Sequence, residues 1–112
     1  MNNKNEIISF QDFQKINLQV GKITKVENLK GYNKILKIMV DLGNEEREII
    51  SGIAKYYSPD KLINKYVVVC TNLEPKKFGE YLSNGMILAA ENDNKPVLLT
   101  VSEEVELGSQ IS

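Results

Sequence analysis

The run Ile35-Leu36-Lys37-Ile38-Met39-Val40-Asp41-Leu42-Gly43-Asn44-Glu45-Glu46-Arg47-Glu48-Ile49-Ile50-Ser51 reads as a β-hairpin. Leu36, Ile38, Val40 and Leu42 fall on one face; Ile35, Lys37, Met39 and Asp41 fall on the other. A period of two marks a strand with one buried face. Gly43-Asn44 is a hairpin turn signal, and residues 47–51 form the returning strand. Upstream, Ile16, Leu18 and Val20 alternate with Asn17 and Gln19. The alternation breaks at Gly21-Lys22, and Ile23 takes up the apolar role. A glycine at a phase break predicts a bulge or sharp bend, as in a strand shared by two halves of a small barrel. Residues 29–34, with Gly31, form the loop between these strands, which completes a three-stranded meander.

The remainder is read in the same way. Ser9 is a candidate N-cap for a short helix over 10–15, which places Phe10 and Phe13 on one face. Ser58-Pro59 starts a second short helix that ends near Asn64-Lys65. A fourth strand is expected over 66–73, followed by a loop with Pro75 and the adjacent Lys76 and Lys77. The Ser83-Asn84-Gly85 turn leads into a fifth strand over 86–90. Residues 91–94 form a turn, 96–101 another strand, and 103–112 a closing segment with Val105, Leu107 and Ile111 as its apolar points. This order predicts an all-β protein with short helices. It fits an OB-fold, a five-stranded Greek-key barrel, with a C-terminal extension. A generic six-stranded barrel is the structural alternative. Residues 1–7 are expected to be a polar N-terminal tail and 8–112 the domain.

Composition narrows the function. The chain has 112 residues, 42% hydrophobic and 26% charged, which suits one globular domain. No apolar run approaches the roughly 18 residues of a membrane helix. The polar start lacks the features of a secretory signal, so a cytoplasmic location is expected. There is no histidine and one cysteine, Cys70, which is expected to be a small buried side chain. Without histidine, the usual Ser/His and Cys/His chemistry and the common zinc sets are unavailable, so neither an enzyme nor a cofactor or metal site is expected. Fourteen basic residues face fifteen acidic ones. Any RNA binding must therefore come from a local basic patch. Nearly all the cations are lysine, with Arg47 the only arginine.

Several pieces occur together in order: Ile8-Ser9-Phe10-Gln11-Asp12-Phe13, Leu18-Gln19-Val20-Gly21-Lys22-Ile23, Lys34-Ile35-Leu36-Lys37-Ile38 and Val40-Asp41-Leu42-Gly43. Ile50-Ser51-Gly52-Ile53-Ala54-Lys55-Tyr56-Tyr57, Asn72-Leu73, Pro75, Lys77, Ser83-Asn84-Gly85-Met86 and Gly108-Ser109 complete the set. In these the chain resembles the tRNA-binding domain at the C-terminus of many methionyl-tRNA synthetases. The same domain occurs as free-standing tRNA-binding proteins and in the endothelial monocyte-activating polypeptide. The resemblance implies an OB-fold core, tRNA binding without strong sequence readout, and homodimerisation. The partner it implies besides tRNA is a methionyl-tRNA synthetase catalytic subunit. The dimer surface it implies includes Phe10, Phe13, Val97, Leu107 and Ile111. An export-chaperone family with this fold differs at Ser51-Gly52-Ile53. A protein-interaction or chaperone-like module is the alternative function.

Candidate RNA contacts must be basic, stacking or small polar residues that face outward. They are Tyr32, Asn33, Lys34, Lys37, Arg47, Lys76, Lys77, Ser83 and Met86. Tyr56 and Tyr57 are further aromatic candidates, one of them expected to pack on the core. The chain departs from the family pattern in three places. Lys30-Gly31-Tyr32-Asn33 stands where a His-Pro pair is frequent. Glu74 precedes the loop proline where lysine is common, and Gly79-Glu80 follows the lysines. The two glutamates are expected to lower RNA affinity.

Overall fold

A computed structural model describes residues 5–112, so residues 1–4 of the expected tail lie outside the described residues. The elements run α1 (Phe10–Phe13), β1 (Leu18–Asn28), β2 (Leu36–Asp41), β3 (Glu46–Ser51), α2 (Pro59–Leu62), β4 (Tyr66–Cys70), β5 (Lys76–Phe78), β6 (Tyr81–Ser83), β7 (Met86–Ile87), β8 (Ala89–Asn92) and β9 (Lys95–Leu98). The main sheet has the order β3-β2-β1-β4-β7, antiparallel throughout. The meander and both short helices form where expected. Ser9 caps α1 by accepting the Asp12 amide, whereas Ser58 at α2 makes no side-chain cap bond.

β1 serves two partners. Leu18–Lys22 pair with β4 and Lys22–Asn28 with β2. The expected bend at Gly21-Lys22 is therefore the point where β1 changes partner. The register shift itself lies between Ile23 and Lys25, further along than expected. Gly21 is needed for closeness: a Cβ there would collide with Val40 Cγ1 and crowd Leu42. Beyond this point the C-terminal segment takes the side of β1 that β2 vacates. Gly108 N–H donates to the Val20 carbonyl at 2.7 Å, and Val20 N–H donates to Ser109 at 2.9 Å. Ile111 N–H donates to the Leu18 carbonyl at 2.9 Å.

The barrel closes along the free edge of β3. The Glu48 carbonyl accepts the Asn84 amide at 2.9 Å, and the Ile50 amide donates to Ser83 Oγ at 2.9 Å. This seam brings the five strands into a nearly closed antiparallel barrel, an OB-fold-like architecture. Its centre is filled by Ile23, Leu36, Ile38, Val40, Leu42, Ile49, Leu62, Val67 and Val69, each no more than 1% exposed. Cys70 is buried, as expected.

Several boundaries differ from the sequence expectation: α1 stops at Phe13 rather than at residue 15, and the strand expected over 96–101 is β9, Lys95–Leu98. The fourth strand stops at Cys70: the Thr71 amide still meets the Asn17 carbonyl in register, but the Asn17 amide donates to Asn72 Oδ1 and the Thr71 carbonyl accepts from Arg47 instead, so the ladder ends. Residues 76–83, expected as loop, form the hairpin β5–β6. The run 86–90 splits at Leu88, whose amide donates to Val68. β8 then leaves the barrel to pair with β9 through Asp93-Asn94, both with positive φ, 51° and 62°, as a type I′ turn requires.

Candidate nucleic-acid interface

Two loops meet at one end of the barrel. In the first, the Tyr32 amide donates to the Leu29 carbonyl at 3.0 Å, and Gly31 sits at φ 86°. That is a type II turn, whose third position demands positive φ and so a glycine. Buried Leu29 anchors it, and Lys30 stands exposed at its corner. The second loop is the β5–β6 hairpin. The Tyr32 ring meets Tyr81 edge-on, with centroids 5.9 Å apart and planes at 80°. Its hydroxyl occupies the place where a Cβ on Gly79 would lie. The loop after β1 and the hairpin after β4 therefore form one continuous rim. These two loops, with the β2–β3 face, are where OB-folds bind oligonucleotides.

Register fixes what the strand face presents. Glu27, Lys37 and Ile50 stand side by side, then Lys25, Met39 and Glu48, then Lys22, Asp41 and Glu46. Lys37 points outward, as expected, but its ammonium lies 3.5 Å from Glu48. Lys25 and Glu27 pair at 2.9 Å. Their hydrogen bond raises the lysine pKa and lowers that of the glutamate. Three lysines thus meet four carboxylates on this face. The positive excess lies on the two rim loops instead, which carry Lys30, Lys34, Lys76 and Lys77 against Glu74 and Glu80, all exposed. Asn33 is exposed between Tyr32 and Lys34.

Between the hairpin and the strand face lies a cleft of about 440 Å³. Ile50, Leu73, Phe78 and Met86 give it apolar walls, with Glu74 and Lys76 among its lining residues. The Lys76 ammonium sits 5.1 Å from the Phe78 ring centroid. Met86 is 48% exposed, so its thioether is on the surface rather than in the core. Walls of this kind suit an unstacked base or a ribose. Sequence reasoning missed Lys30 and Phe78. The signal for both was present: a lysine at a turn corner, and an aromatic residue after paired lysines.

Two candidates face elsewhere. Ser83 was expected to face outward, but it is only 4% exposed and its hydroxyl is engaged. It accepts from Ile50 N–H and donates to the Gly85 carbonyl, each at 2.9 Å. Arg47 pairs with Val40 across the sheet, so it has the inward parity of Ile49 and not that of Lys37. It lies at the barrel mouth, where Nη1 donates to the Thr71 and Asn84 carbonyls at 2.8 and 3.2 Å. Nε donates to Glu45 at 2.8 Å. That hydrogen bond lowers the Glu45 pKa. The aromatic pair is also committed. Tyr57 donates to the Pro96 carbonyl and packs against the core, and Tyr56 donates to Asn94.

Of the residues expected at a dimer surface, Phe10, Phe13 and Val97 are exposed, at 71%, 39% and 42%. Leu107 and Ile111 are half-buried in the segment that pairs with β1. Ile7, Ile8 and Ile16 are also exposed. Ile16, Leu18, Leu73, Met86 and Leu88 line an apolar groove.

The family model described as a putative tRNA-binding domain matches residues 18–110. A methionine-tRNA ligase of Clostridium tetani is 52% identical over 95% of this chain and 17% of its own length. One from Archaeoglobus fulgidus is 49% identical over 95% of this chain and 16% of its own length. The chain thus spans about one sixth of these curated relatives. A solved MetRS-related protein of Pyrococcus horikoshii is 39% identical with a TM-score of 0.89, covering 96% of this chain and 99% of that one. The chaperone CsaA of Bacillus anthracis is 26% identical with a TM-score of 0.87, over 96% of this chain and 100% of its own. A fold and a sequence that agree over nearly the whole chain lead to one assignment: this protein belongs to the putative tRNA-binding domain family.

Proposed function

We propose that the chain is a non-catalytic tRNA-binding module that recognises RNA by shape and charge rather than by sequence. It serves a methionyl-tRNA synthetase in the cytoplasm, in trans or as its beta subunit. The observation that carries this reading is the rim, where two loops in contact carry four exposed lysines and Lys76 lines a cleft walled by Phe78, Leu73 and Met86. Lysines hold phosphates as point charges, and the cleft takes an exposed base or ribose. Linking such a module to an enzyme raises the local tRNA concentration without new contacts at the active site. We also infer a homodimer in which a second copy covers Phe10, Phe13 and Val97; the exposure of these three apolar side chains supports it. A monomer in sedimentation at high protein concentration would refute that part.

A protein-interaction module is the second reading. The acidic excess on the strand face favours it, as does full-length likeness to a chaperone. Filter binding with bulk tRNA separates the two. The RNA reading expects a log–log salt slope of about −3, from some four phosphates at ~0.7–0.9 each. A dissociation constant weaker than about 1 mM at low salt would sink it, since even non-specific binders commonly reach ~10–100 μM.

A further inference from the structure

We infer that Arg47 is a positioning residue for RNA binding, one that clamps both feet of the β5–β6 hairpin and touches no phosphate itself. The inference rests on the tRNA-binding reading above and assigns it a residue that acts through another element. Arg47 Nη1 donates to the carbonyls of Thr71 and Asn84. Those residues stand immediately before and after the segment 72–83, which carries Glu74, Lys76, Lys77 and Phe78. Nε and Nη2 engage the two oxygens of Glu45, at 2.8 and 3.4 Å. All but one of the guanidinium N–H donors are thereby used, so no fork remains for a phosphate. The hairpin needs such a clamp. Its strands are three residues each, too short to hold together alone in water. Apart from Arg47, its first foot is tied to the segment before β1, where Thr71 N–H donates to the Asn17 carbonyl and Asn72 accepts from Asn17 N–H and donates to the Lys15 carbonyl. Its second foot is held by Ser83 and the Asn84 amide, and its tip by Tyr32. Arg47 is the residue that joins the two feet to each other.

The test compares wild type with Arg47→Lys and Arg47→Gln in the full chain, by tRNA titration across a salt series and by hydrogen exchange. Lysine keeps the charge but lacks the planar fork that reaches two carbonyls and a carboxylate. A hairpin ordered in about a tenth of molecules binds about tenfold more weakly. The expected result is a loss near tenfold in both variants, an unchanged salt slope, and faster exchange confined to residues 72–84. If lysine restores binding while glutamine lowers the slope by ~0.7–0.9, Arg47 holds a phosphate and the inference fails. Wild-type affinity in both variants, or unfolding of both, would also overturn it. Failure of the wild type to bind tRNA would sink the functional reading alone, because exchange at 72–84 still reports the clamp.

Discussion

Ser83→Ala is the sharpest perturbation of the barrel seam. The Ser83 hydroxyl is the partner of the Ile50 amide, and Ile50 is only 5% exposed. Alanine fits the space but leaves that donor without an acceptor, because the other side of β3 is already occupied by β2. A buried unsatisfied backbone group costs about 1–3 kcal/mol. The Gly85 carbonyl also loses its donor, but it is half-exposed and water can replace the bond. The expected loss is therefore about 2 kcal/mol from one orphaned amide. For a domain of this size it lowers Tm by roughly 5–10 °C, read by circular dichroism. Ser83→Cys, with a weaker acceptor of similar shape, should fall between alanine and wild type. A wild-type Tm in Ser83→Ala together with a marked loss of tRNA affinity would refute the reasoning, since it would place the hydroxyl on the ligand.

Three further outcomes follow from the geometry. Glu80→Lys reverses a charge on the rim and should strengthen tRNA binding several-fold at low salt, with the gain fading as salt screens it; a gain that persists at high salt would show another cause. Gly21→Ala forces a methyl into Val40 and should cost about 1–3 kcal/mol in urea unfolding, whereas an unchanged midpoint would mean β1 has room at the crossing. The Glu45 carboxyl titrates below its usual range because Arg47 donates to it. Its contribution is therefore complete above the ordinary carboxylate pKa and is lost as pH falls through the lowered value. Glu45→Gln should flatten that part of the stability–pH curve, and parallel curves for the two proteins would contradict it.

The strands whose partners are near in sequence were legible. Residues 35–51 carry their own alternation and turn, so the outward position of Lys37 followed from parity alone. Arg47 was misplaced because it is charged and opens a strand, where its inward parity is visible only once its pairing with Val40 is known. Ser83 looked like a turn residue because the amide it satisfies lies 33 residues away, in another strand. The β5–β6 hairpin was hidden because three-residue strands are too short to display a period, and Pro75 and the paired lysines suggested loop. Gly79-Glu80 between Phe78 and Tyr81 was the available clue, a two-residue hairpin connection beginning with glycine. The strand face looked basic through Lys37 alone; its carboxylates became neighbours only through the cross-strand register.

The seam at Ser83 and Asn84 has a consequence for protein engineering. The barrel is shut by the same short segment at which the hairpin ends, and none of those closing bonds involves residues 76–82. The tip is thus a replaceable cassette mounted on a fixed socket. Segments of other length or charge can be grafted between residue 75 and Ser83 without opening the barrel, provided Arg47, Thr71, Ser83 and Asn84 are retained.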